Sequence, residues 1–242
     1  MTEAFEISGV PSEGGVLIVV DHASSHVPDD INLGISPQYQ QDHIAFDPGI
    51  APIARLMTEH SGYLAILSTA SRLIVDLNRY PDEAAVIVER SDGVEIPGNH
   101  LSAEERQARL DRFFTPYHDR VAALIADLKP ALVASLHSFS PTLRTNPQLK
   151  RPWDMGIMYN EHQTAPRLAL QYLGEEEGLI VGDQMPYSGK DLNATMNRQC
   201  EAIGQPYIGV EVRQDLIREE AGQRRFADIL LCSCDKIRTA LA

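Results

Sequence analysis

Three cysteines in 242 residues, Cys200, Cys232 and Cys234, cannot supply a disulfide framework. Cys232-Ser233-Cys234 is spaced too tightly for a thiolate metal pair, which needs two or more intervening residues. These thiols are expected to be small apolar residues on a C-terminal helix. Basic residues are scarce: 21 Lys and Arg stand against 34 Asp and Glu, a formal net charge of -13. Such a surface repels nucleic-acid phosphates and anionic bilayers, and no basic stripe offsets it. Long apolar runs are missing too. The longest, Val16-Leu17-Ile18-Val19-Val20, is far too short to span a bilayer. No basic region followed by an apolar stretch opens the sequence, so no secretory signal is expected. Together with unpaired thiols, this gives the cytosol as the expected compartment, with neither nucleic acid nor membrane as partner.

What remains is an ordinary globular balance, 43% hydrophobic and 23% charged. Repeats and low-complexity tracts are absent, and one domain over residues 1–242 is expected. Strand-like and helix-like stretches alternate. Gly15–Val20, Tyr63–Leu67, Leu73–Leu77, Ala131–Leu136, Met155–Tyr159 and Pro206–Val212 have strand character. Helices are expected after Ser36-Pro37, from Pro48 to about His60, from Ser102 to Lys129, and over about Gln163–Glu177. A final helix carries Phe226, Ile229, Leu230, Ile237 and Leu241 on its apolar face. Ser102-Ala103-Glu104-Glu105 is a capping box, Pro116 is expected to kink the long helix, and Ser91-Asp92-Gly93 marks a turn. The alternation predicts a single-domain α/β fold with a mixed, mostly parallel sheet flanked by helices.

Several apolar strands run into chemically capable residues: Asp21-His22, Asn78-Arg79, His137-Ser138, and Glu211 with Arg213 two residues on. In a parallel sheet all carboxyl ends meet at one edge, so these segments should share a crevice. A lone histidine is usually structural, but four such ends at one edge indicate a site. Imidazoles and carboxylates are zinc ligands, and a catalytic zinc keeps one position open. His22 and His137 are the natural ligands; no His-Glu-x-x-His pattern is present. A His-x-x-Glu pair would place a carboxylate at position 25, which is Ser25 here. The third ligand is therefore assigned to Asp47, whose alternative role is capping the helix that follows. His26 and His43 are weaker candidates. Glu211 is expected to be the general base, against the alternative of a salt bridge.

The segments Asp21-His22-Ala23-Ser24, His43–Gly49, Ser71–Arg79, Leu136–Pro141, Arg151-Pro152-Trp153, Gly182-Asp183 with Pro186-Tyr187-Ser188, and Glu211–Ile217 occur in this order. As an ordered set they resemble the N-formylglutamate amidohydrolase family. That family is similar in fold to zinc carboxypeptidases and aspartoacylases, which implies a zinc-exopeptidase (phosphorylase/hydrolase)-like architecture and one zinc per chain. The sequence departs from the family pattern at Ser25, Gln184 and Met185.

The resemblance implies hydrolysis of an N-acyl amino acid, with His22, His137 and Glu211 at the positions of the wider group's early His, later His and late Glu; Asp47, from the reading above, completes the expected zinc set. The resemblance also implies Asn78 and Arg79 as a clamp on the substrate carboxylate, and Arg72 beside the developing oxyanion. Seven residues of straight strand would separate Arg72 and Arg79 by roughly 23 Å, so the chain must bend if both reach one substrate. Arg213 either binds a second carboxylate or neutralises Glu211. Tyr187 either supplies a hydroxyl or is a turn aromatic, and Ser138 joins the substrate-binding set. His118 and Trp153 are expected to be structural. The alternatives are a carboxypeptidase-like hydrolase of short peptides and a non-catalytic metal- or ligand-binding relative.

Overall fold

The computed structural model describes residues 3–242. The sequence Val16-Leu17-Ile18-Val19-Val20 forms a strand buried along its whole length, β2 (Val16–Val20). Its alternate residues feed two separate layers. Val16, Ile18 and Val20 join one apolar cluster, while Leu17 and Val19 join another on the opposite face. This division is the period-two geometry of a strand with helices on both sides.

Seven strands build the sheet, in the order β1 (Phe5–Gly9), β3 (Tyr63–Ser68), β2, β6 (Leu132–Phe139), β9 (Tyr207–Arg213), β7 (Met155–Met158) and β8 (Val181–Asp183). The block β3-β2-β6-β9 is parallel. β1 runs antiparallel to β3, and β7 antiparallel to β9 with β8 parallel to it. A small hairpin, β4 (Arg90–Ser91) with β5 (Val94–Glu95), turns at Asp92-Gly93, both with positive φ. One layer holds α2 (Ile50–Met57), α5 (Thr164–Leu173) and α7 (Glu220–Leu241). The other holds α4 (Thr115–Leu128), preceded by α3 (Ala103–Arg109). Two short helices, α1 (Pro37–Gln40) and α6 (Ala194–Gln199), complete the chain. Among the described residues no helix is long and apolar enough to cross a membrane.

Most expected elements form, and the exceptions have local causes. The expected strand Leu73–Leu77 is a buried turn. The Ser71 hydroxyl donates to the Ala45 carbonyl and accepts from the Leu73 amide, and Asp76 accepts from the Asn78 amide. These side chains bond the backbone locally and remove it from any ladder. Its leucines and valine are apolar because the loop is buried. Pro116 does not break the long helix; a π turn over Leu110–Phe114 precedes it and absorbs its missing donor. The Ser102–Glu105 capping box is present. Strands β1 and β8 were not anticipated: one is an exposed edge and the other is three residues long.

α4 is tied to the turn at residues 71–79 by His118, which donates from Nε2 to the Leu77 carbonyl at 3.0 Å and packs on Phe114. Burial lowers its pKa to about 4. Between about pH 6.5 and 4 the unfolded chain takes up this proton and the folded chain does not, so stability falls as pH falls through that window. Urea unfolding across this range should show that slope, and His118→Gln should flatten it by up to about 1.4 kcal/mol per pH unit.

Candidate active site

The carboxyl ends of β2, β6 and β9 deliver three residues to one edge. His22 lies two residues beyond β2, while His137 and Glu211 are direct register partners on β6 and β9. Asp47 arrives from the segment before α2, whose N-cap is Gly49 at φ +84. A Cβ at Gly49 would sit 2.4 Å from the Ile217 carbonyl, so this close approach requires glycine. The Asp47 side chain does not cap the helix. Its Oδ2 accepts from the Ser138 amide at 3.2 Å and turns towards the two imidazoles.

Asp47 Oδ2 lies 3.0 Å from His137 Nδ1 and 3.4 Å from His22 Nδ1. All three residues are buried, and their ligand atoms lie within 4.8 Å of one another. Ligands bound at about 2.0–2.1 Å in a tetrahedral shell stand roughly 3.3 Å apart, so these spacings suit a divalent cation. The outer nitrogens are held as such a site requires. His22 Nε2 donates to Asp76 Oδ1 at 2.8 Å, and His137 Nε2 lies 3.1 Å from Ser135 Oγ. A proton on Nε2 leaves the Nδ1 lone pair for a metal.

The charges reflect this crowding. Burial and the Arg72 charge act to keep His22 neutral, but Asp76 and Asp47 outweigh them and raise its pKa to about 9. Asp47 remains ionised despite burial, held far below the usual carboxylate range by the two histidines. In this arrangement the proton held by His22 compensates Asp47, a task a divalent cation would take over. Glu211 shows the opposite behaviour. Burial, reinforced by Asp47, pushes its carboxyl up to about 8 against the pull of His137, Arg72 and Arg151. Its Oε2 is buried without a partner. A cation beside it would favour the ionised form that a base needs.

One cavity is lined by His22, Asp47, Arg72, Asn78, Arg79, His137, Ser138, Tyr187 and Glu211. The turn at residues 71–79 brings Arg72 and Arg79 to the same space, which removes the conflict of a straight strand. Arg72 is fastened to Asp76 (Nη2–Oδ2, 2.6 Å) and to Asp47 (3.4 Å). Among the described residues, Arg79 donates only to the Asn78 carbonyl. The Asn78 side-chain oxygen accepts from the Thr195 amide at 3.1 Å, and the Ser138 hydroxyl donates to the Pro48 carbonyl.

Arg213 does not join them. Asp154 and Asp215 hold its guanidinium, which also donates to the Pro152 and Trp153 carbonyls. Two residues past Glu211, it has reached the last position of β9 and turned to the neighbouring loop. It therefore neither faces the cavity nor neutralises Glu211. His43 lines the cavity but is held between Asp42 and Asp92, and His26 stays outside. The Ser25 hydroxyl accepts from the Gln41 side chain. Met185 is 40% exposed and outside the cavity, while Gln184 braces the loop through Tyr159 and Gly189. Two participants escaped the sequence reading, Asp76 and Arg151. The signal for Asp76 was a carboxylate inside the apolar run Leu73–Leu77.

The sequence model of the N-formylglutamate amidohydrolases matches residues 14–218. Among solved structures, gene product Atu2144 from Agrobacterium tumefaciens is 29% identical with a TM-score of 0.92, over 99% of this chain and 96% of that one. N-formylglutamate amidohydrolase from Ralstonia eutropha JMP134 shares the fold at 16% identity and a TM-score of 0.79, over 99% and 98%. No curated protein matches the chain.

The donor geometry predicts that the protein equilibrated with a divalent cation and then desalted retains about one ion per chain. Asp47→Ala should retain none. Asp76→Ala, which frees the His22 ring, should bind roughly 10- to 100-fold more weakly by calorimetry.

Proposed function

The chain belongs to the N-formylglutamate amidohydrolase family, and from that premise and the cavity's geometry we propose a zinc-dependent hydrolase of N-acyl amino acids of the N-formyl-L-glutamate class. The observation that carries this is a buried His-Asp-His donor set beside a buried, unpartnered glutamate. An arginine free of carboxylate partners lines the same cavity. The substrate is a small molecule, and the products are a carboxylic acid and a free amino acid.

His22, His137 and Asp47 would hold the zinc, whose chemistry is to polarise the acyl carbonyl and acidify water. Glu211 takes a proton from the attacking water at its free Oε2 and delivers it to the amine nitrogen as the C–N bond breaks. The water oxygen stays with the acyl carbon as the carboxylic acid. Burial supports both duties: it raises the Glu211 carboxyl, a bound cation would draw it back towards the ionised form, and a carboxyl balanced between the two can accept and return a proton. Arg79, with no carboxylate in contact among the described residues, meets the substrate's α-carboxylate with Asn78 beside it. Arg72 faces the reacting oxygen while Asp76 and Asp47 fix its plane. The Tyr187 hydroxyl and Ser138 complete the wall.

Purified protein offered N-formyl-L-glutamate, other N-acyl amino acids and dipeptides should release amino acid from the first two groups. Removing the cation should abolish turnover. Glu211→Gln should lower kcat by about 10²- to 10⁴-fold with metal content unchanged. A Glu211→Gln variant as active as the parent would reduce the protein to a binding relative, and preferential release from dipeptides would favour a peptidase.

A further inference from the structure

Arg151 is buried, with 7% of its surface exposed. Arg72 and Arg213 each hold two acids; Arg151 pairs with no carboxylate among the described residues. Its Nη1 donates to the Ser140 carbonyl at 3.1 Å and to the Tyr187 phenol oxygen at 3.0 Å. The guanidinium lies over the Tyr187 ring, 4.9 Å from its centre, and its Nε is buried without a partner. Burying a cation with no anion in contact is costly, and an apolar side chain would fill such a space more cheaply. Packing alone does not account for Arg151.

Its effect falls on Tyr187. Among the described residues the phenol oxygen bonds only to Arg151. An incoming N–H occupies one lone pair and turns the phenol's own hydrogen elsewhere. That hydrogen has no protein acceptor, and Tyr187 lines the cavity with Glu211 and Arg72. The same N–H strengthens the phenol as a donor, because linked hydrogen bonds polarise one another. Stacking of the cation on the ring fixes its plane. Both ends are anchored. Ser140 follows β6 and is bound by Gln214, while Gln184 clamps the loop that carries Tyr187. Arg151 contacts the wall without lining the cavity, so direct capture of substrate is not its role.

We infer that Arg151 is a positioning residue that fixes the Tyr187 hydroxyl as a hydrogen-bond donor to the acyl carbonyl oxygen of the substrate. The charges of Glu211, Arg151 and Arg72 act on the Tyr187 phenol, which sets this donor on the side of the base and Arg72. Negative charge builds on that oxygen as water attacks, so the donor acts more strongly in the transition state than in the bound substrate. This rests on the amide-hydrolase function proposed above.

Kinetics of the metal-loaded full chain test it. Arg151→Met should lower kcat roughly 10- to 100-fold, with KM changed by less than about twofold. Tyr187→Phe should do the same, and the double variant should be no worse than Tyr187→Phe alone. Arg151→Lys, which keeps a charged donor, should recover most of the loss and separates this role from a loss of folding. Losses that multiply in the double variant overturn the inference, as does a raised KM at unchanged kcat. An arm independent of turnover is ultraviolet titration of the phenols, with Tyr187 identified by its absence in Tyr187→Phe. Replacing Arg151 with Met should move that step upward, because the cation opposes the effects of burial and Glu211 on this phenol; an unmoved step overturns the pairing. A wild-type protein inactive on every N-acyl amino acid would sink the proposed function, while the titration would still decide whether Arg151 governs Tyr187.

Discussion

One carboxylate organises the site. Asp47 receives the Ser138 amide, stands between the Nδ1 atoms of His22 and His137, and meets Arg72 through its second oxygen. It thereby joins the end of β2, the end of β6, the approach to α2 and the turn at residues 71–79. A buried charge of this kind is stable only when opposite charge surrounds it. The protein supplies that charge in a form a divalent cation can replace. Asp76 extends the pattern outward, fixing the His22 ring with one oxygen and the Arg72 guanidinium with the other.

The arginines around this centre divide by their partners. Arg72 and Arg213 are neutralised by acids, and their geometry is thereby set. Arg79 and Arg151 are not. On a chain with a net charge of -13, an uncompensated cation beside a cavity creates a local field opposite to that of the surface, and it draws in anionic ligands. Of these two, Arg79 lines the cavity and Arg151 sits behind its wall. In the proposed function, that division separates binding the substrate from shaping the group that meets it.

The fold was largely legible because β2, β6 and β9 are buried on both faces and show as continuous apolar runs. The histidines were legible because they end or follow such runs. Asp47 was chosen for want of an acid at position 25; its side chain leaves the helix cap free and stands between the two imidazoles. The sequence misled wherever burial mimicked a strand. Leu73–Leu77 is apolar because it packs beneath the cavity, and Ser71 and Asp76 bend it by bonding its own backbone. Arg213 misled through period-two reasoning, which holds within β9 but fails at its last residue, where Asp154 and Asp215 take the side chain. Arg151 stood in the sequence only as part of the Arg151-Pro152-Trp153 segment, with no role, because what sets it apart is the lack of a contacting carboxylate, which only the folded chain shows.

In the proposed function, His22, His137 and Asp47 close around a catalytic divalent cation. Anomalous diffraction at the zinc edge, from crystals of protein that retains hydrolase activity, is the decisive measurement. A cation held by these residues gives a single strong peak within bonding distance, about 2.0–2.2 Å, of His22 Nδ1, His137 Nδ1 and an Asp47 oxygen, with Glu211 adjacent but unbound. Active protein showing no peak between those three atoms would contradict it.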